Sequence, residues 1–73
     1  MAFQVVELTL DADDNVIERS VVPYPYPTRA EAVDTIESVI MRFAEAGYEP
    51  EGDFWRAIKG NGKTRVRFII EHV

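Results

Sequence analysis

The 73-residue chain contains no cysteine. That excludes disulfide staples, CxxC redox chemistry and thiolate zinc sites. Histidine is nearly absent too: His72 is the single one. One imidazole builds no metal cluster by itself, and no carboxylate stands at HExxH or similar spacing to complete one. No apolar run approaches the ~20 residues of a membrane span, and the first residues lack the basic-then-apolar pattern of a signal peptide. A soluble, cytoplasmic protein is expected, with no cofactor and no membrane partner. Linkers, low-complexity tracts and convincing repeats are also missing, so one domain is expected over residues 1–73.

The parts of an active site do not converge either. Ser20 and Ser38 lie in no nucleophile-elbow context. Asp34 and Glu37 fall on the face of a predicted helix opposite its apolar stripe, where solvation accounts for them. Enzymatic activity is therefore not expected.

What is present reads as a small globular domain. Hydrophobic residues make up 47% and charged residues 29%. A domain of this size buries only roughly 60% of the surface its unfolded chain exposes, so association would add to its stability. The formal charge is −5, unevenly spread. Residues 1–55 carry three basic and twelve acidic side chains, a net of −9, and residues 56–73 carry five basic and one acidic, a net of +4. An acidic body carries a basic end, which repels nucleic acid at long range yet can contact an anion locally.

Periodicity and punctuation give the elements. Phe3–Leu10 and Val16–Val22 are rich in β-branched and aromatic residues and flank the turn formers Asp11–Asn15, which predicts a hairpin. Thr28 with Glu31 three residues later forms a helix start. Ala30, Val33, Ile36, Ile40, Phe43 and Ala44 then define an apolar stripe. Gly47 followed by Pro50 predicts the stop, so the helix is expected from Arg29 to Ala46, roughly 25 Å long. Asp53–Lys59 and Lys63–Val73 form a second hairpin around Gly60-Asn61-Gly62, with Asn61-Gly62 as a type I′ turn. The expected fold is α+β: a two-layer ββαββ arrangement, with a four-stranded, mainly antiparallel sheet and one helix on one face. The first and last strands are the most apolar and belong in the middle, while the second, stopped by Pro23, suits an edge.

Three stretches resemble sites without meeting their requirements. Asp11, Asp13 and Asn15 begin like a calcium loop, but Val16 stands where glycine is needed and Val22 where a bidentate glutamate is needed. Lys59–Lys63 puts glycines beside lysines, but joins two strands with no helix after it, unlike a phosphate loop. Pro23-Tyr24-Pro25-Tyr26-Pro27 spaces its prolines two apart, which fits neither PxxP nor PPxY. It reads as a stiff connection, rising ~3.1 Å per residue, that carries the chain onto the sheet face. Three residues per turn would point the two tyrosines in different directions, one covering the core edge and one exposed.

The second hairpin gives the functional lead. A two-residue turn sets Arg56 opposite Arg67, Ile58 opposite Arg65 and Phe54 opposite Ile69. Trp55, Ala57, Val66 and Phe68 share the other, apolar face and should meet the helix. Opposed arginines are mildly destabilising and need compensation, from Glu7, an acidic partner or a phosphate. If Val6, Leu8 and Leu10 of the first strand point inward, Phe3, Val5, Glu7 and Thr9 join the open face. The candidate interaction surface is then Phe3, Val5, Phe54, Arg56, Ile58, Lys59, Lys63, Arg65, Arg67 and Ile69. Exposed apolar patches mixed with arginine mark interfaces. The leading expectation is a non-enzymatic interaction module that binds another protein or a second copy of itself. The alternative is a nucleic-acid-binding domain using Arg56, Lys59, Lys63, Arg65 and Arg67.

Overall fold

Phe3–Leu10 (β1) and Arg65–His72 (β5) pair antiparallel along their whole lengths, from Phe3 opposite His72 to Leu10 opposite Arg65. They form the middle of a sheet in a computed structural model that describes residues 2–43, 45–59 and 64–73. Val16–Val21 (β2) flanks β1; Phe54–Ile58 (β4) flanks β5; and Glu45–Glu49 (β3) lies outside β4. The order is β2-β1-β5-β4-β3, antiparallel throughout. One helix, Arg29–Ile40 (α1), packs on one face. The class is α+β, as composition and order predict, but the sheet has five strands rather than four.

The fifth strand comes out of the expected helix. Thr28 does cap α1, its side chain accepting from the Glu31 N–H at 3.2 Å. The helix ends at Ile40 instead of Ala46, 12 residues and about 18 Å long. Arg42 and Phe43 N–H groups bond back three residues, to Val39 and Ile40, which tightens and closes the last turn. Phe43 still reaches the core, its ring 6.3 Å from that of Phe68, so a turn satisfies the apolar spacing that suggested more helix. Gly47 is a strand residue opposite Arg56, not a helix terminator. Tyr48 packs on Trp55, their ring centroids 4.7 Å apart. In this arrangement β3 supplies the hydrogen-bond partners along one side of β4.

The core lies between α1 and the sheet. Ala32 and Ile36 of the helix meet Val5, Trp55, Ala57, Val66 and Phe68, all buried. Ala30, expected in the stripe, is exposed. The second-hairpin faces are as the register argument predicts, with Arg56 opposite Arg67 and Ile58 opposite Arg65. The turn itself, 60–63, lies outside the described residues.

β1 is turned the other way from the expectation. Val5 is opposite Ile70 and belongs to the helix-side core, and Phe3 packs against that core while stacking on His72 at 4.8 Å. Val6, Leu8 and Leu10 therefore point to the open face. Both sets of alternate residues in FQVVELTL contain apolar side chains, so alternation alone does not choose. The choice follows from pairing with Ile70 and from the tyrosine connection beside Phe3.

That connection is tied to β1. The Val22 N–H bonds Val5 O at 2.9 Å, and Tyr26 exchanges two backbone bonds of 2.8 Å with Phe3. The segment thus runs on along β1 before entering the helix. Tyr26 covers the core edge and Tyr24 is exposed, as expected. Their rings nevertheless touch, with centroids 4.7 Å apart, instead of pointing apart. A tight bond from the Tyr24 N–H to Val22 O breaks the threefold polyproline repeat.

Candidate interaction surface

The register arranges the open face in rows across the strands. One row reads Val16, Leu10, Arg65, Ile58, Glu45; the next reads Arg19, Leu8, Arg67, Arg56, Gly47. The third reads Val21, Val6, Ile69, and continues the same register to Phe54 and Glu49. Gln4 and Glu71 end the face.

Long polar side chains bridge these rows and cover the apolar ones beneath. Arg19 on β2 pairs with Glu71 on β5, and Gln4 also donates to Glu71 at 3.0 Å. The bridge crosses β1 between Leu8 and Gln4, over Val6, which is 0% exposed although no helix covers it. These two donors, Arg19 first, hold the Glu71 carboxyl below its usual pKa range. At the other end Arg65 reaches past Leu10 to the β1–β2 turn. It donates to Ala12 O at 3.0 Å and Asp11 O at 3.3 Å, and pairs with Asp14 at 2.8 Å. Leu10 beneath it is only 6% exposed.

The turn is built to receive that arginine. Asp11 Oδ1 accepts from the N–H groups of Asn15 at 2.9 Å and Asp13 at 2.8 Å, which holds its pKa down, the Asn15 bond first. Asp14 takes a left-handed φ of 63°. DADDN is thus a hairpin turn whose carbonyls face an arginine, and its first carboxylate is used by backbone N–H groups.

Arg56 and Arg67 are opposed, as the sequence predicts, but Glu7 does not compensate them. Glu7 is opposite Phe68 and points to the helix side. Arg56 instead pairs with Glu49 at 2.9 Å. Arg67 lies over the Phe54 ring, its Cζ 4.6 Å from the centroid. Of the four open-face arginines, Arg67 alone has no carboxylate partner among the described residues. Gly52 makes room for the Phe54 ring: a Cβ there would lie 2.5 Å from its edge. A shallow cavity of about 360 Å³ opens here, lined by Leu10, Phe54, Ile58 and the arginines 56, 65 and 67, among others.

The structure therefore brings together Phe54, Arg56, Ile58, Arg65, Arg67 and Ile69 of the sequence-predicted surface. It does not bring Phe3 and Val5, which lie in the helix-side layer. Lys59 closes β4, its N–H bonded to Thr64 O at 2.9 Å, and Lys63 lies outside the described residues. Sequence reasoning missed Leu8, Asp14 and Glu49 as members of the face. Leu8 was signalled by alternation but assigned to the wrong side. Asp14 and Glu49 depend on which strand lies beside which.

A second polar cluster ties the β3–β4 turn to the helix start. Asp53, at a left-handed φ of 51°, accepts from Arg29 at 2.6 Å and from the Tyr48 hydroxyl at 2.8 Å. The Tyr48 bond, then Arg29, holds the Asp53 carboxyl low, and the same bond raises the Tyr48 hydroxyl. Among the described residues no group of three or more His, Cys, Asp or Glu is placed to hold a metal ion, and no helix is long and apolar enough to cross a membrane. No family model, curated protein or solved structure matches the chain.

Proposed function

We propose that the protein is a small non-enzymatic interaction module that binds another protein through the open face of its sheet. The observation that carries this reading is the centre of that face. Leu8, Phe54, Ile58 and Ile69 are each part-exposed around Arg67, with no second layer over them among the described residues. Apolar groups with arginine are the composition of interface centres. Val6 and Leu10 beside this centre are buried, while Val16 and Val21 on β2 extend the accessible apolar area to the edge of the sheet.

The face supports a nucleic-acid role less well. Phe54 is its one aromatic among the described residues, and Arg67 already lies over that ring. Base stacking needs open aromatic platforms. The remaining choice within the protein-binding reading is between another chain and a second copy of this one.

Sedimentation velocity over a concentration series and selection of displayed random peptides on the chain test the reading. The expected result is a bound peptide, or a dimer, that is lost on Ile69→Glu or Leu8→Glu while the amide spectrum stays folded. Arg42→Gln, on the exposed turn after the helix, should change nothing. A chain that stays monomeric and selects no peptide, or binding that ignores both open-face changes, removes the reading.

A further inference from the structure

The open face carries Arg19, Arg56, Arg65 and Arg67, and three of them are held by Glu71, Glu49 and Asp14. Each of those three already has a carboxylate partner within the molecule. Arg67 is part-buried and meets a phenyl ring, which supplies no acceptor oxygen for its N–H groups. One guanidinium thus remains unmatched in the middle of an apolar patch. A carboxylate is the planar group that a guanidinium fork recognises.

The apolar side chains around it set the size of what binds. Ile58 lies in the row on one side of Arg67, with Phe54 and Ile69 in the row on the other. Four residues along a strand separate those two rows, roughly 13 Å at 3.3 Å per residue. That is the reach of a short extended peptide. Resting on the protein-binding reading above, we infer that the open face takes an extended segment of another protein, with one acidic side chain placed on Arg67 and apolar side chains on either side of it.

Two other occupants fit less well. A second copy set face to face about a two-fold axis through this centre would bring the unmatched Arg67 against Arg67 of that copy. A nucleic acid presents a row of phosphates, whereas among the described residues the face presents one unmatched arginine, on a chain of net charge −5. A single carboxylate matches a single guanidinium.

Random dodecapeptides displayed against the full chain at physiological salt test the inference. Enriched peptides should carry Asp or Glu beside aliphatic or aromatic residues. Changing that acid to its amide should weaken binding about tenfold, about 1.4 kcal/mol. Arg67→Gln should do the same, and the two changes together should cost little more than either alone, as expected of a directly coupled pair. The peptide-side change leaves the protein intact, so it tests the pairing even if Arg67→Gln disturbs the fold. Acid-free peptides that are lost on Ile69→Glu but not on Arg67→Gln would overturn the acidic segment and leave the binding face standing. Peptides indifferent to both changes would remove both. Displacement of the acidic peptides by a single-stranded oligonucleotide at the same salt, or a dimer dissociated by Leu8→Glu, would assign the face to those occupants instead.

Discussion

Arg67 sits over Phe54, 4.6 Å from its ring centroid, and Gly52 leaves the space that ring occupies. An added Cβ at Gly52 would stand 2.5 Å from the ring edge, closer than real Cβ atoms come. Gly52→Ala should push the ring aside and cost about 1–3 kcal/mol, as overpacking does. Urea denaturation reads the loss, and the Arg67 side-chain resonances should move with it. Gly47→Ala is the contrast. Its Cβ would make an ordinary 3.5 Å contact with Arg56, so a clearly smaller loss is expected. Equal losses at the two positions would mean that the ring contact is unimportant.

Val6 separates a packed open face from a bare one. It is 0% exposed beneath the Arg19–Glu71 bridge, with no helix above it. Val6→Ala should therefore behave as a core truncation and cost about 2 kcal/mol. A loss below about 0.5 kcal/mol, the level of ordinary surface changes, would show that the bridge does not cover it.

Acid should loosen the fold through three carboxylates. Asp11, Asp53 and Glu71 are all held below their ordinary values, by the Asn15 N–H, the Tyr48 hydroxyl and the Arg19 guanidinium first, respectively. A depressed folded-state pKa gives stability that is present above the unfolded value and lost as pH falls through the folded one. The unfolded values are near 3.8 for Asp and 4.5 for Glu. Tm should accordingly be insensitive to these groups at neutral pH and fall as pH drops below about 4.5. Glu71→Gln should flatten that fall, and a Tm profile of unchanged slope would count against the bridge.

The helix start is a further check. The Thr28 side chain accepts from the Glu31 N–H, and α1 has only 12 residues to hold. Thr28→Ala should cost about 1 kcal/mol and Thr28→Ser little, measured by thermal or urea unfolding. If alanine is as stable as threonine, the cap is not what begins the helix.

Several features were legible along the chain because local chemistry sets them. Turn formers at Asp11–Asn15 and a threonine cap at Thr28 act within a few residues of where they stand. The register of the second hairpin is the one expected along the chain, and with it come the arginine opposition and the apolar face of Trp55, Ala57, Val66 and Phe68. Six of the ten candidate surface residues could be placed together in this way, because one hairpin supplies them.

Where the sequence offered two comparable options, tertiary pairing decided. The helix was expected to run to Ala46, but residues 45–49 form β3, paired along β4. β1 has apolar residues on both of its faces, so its orientation awaited β5, which drew Val5 to Ile70 and sent Val6, Leu8 and Leu10 outward. The partners of the open-face arginines were settled last. Arg19 and Glu71 are 52 residues apart, and only the order β2-β1-β5 brings them across the same valine. Local sequence determines which residues turn, cap and alternate, since those preferences act over one or two peptide units. Which charges meet, and which one is left unmatched at Arg67, depends on strand order, and that is set by the burial of the whole core.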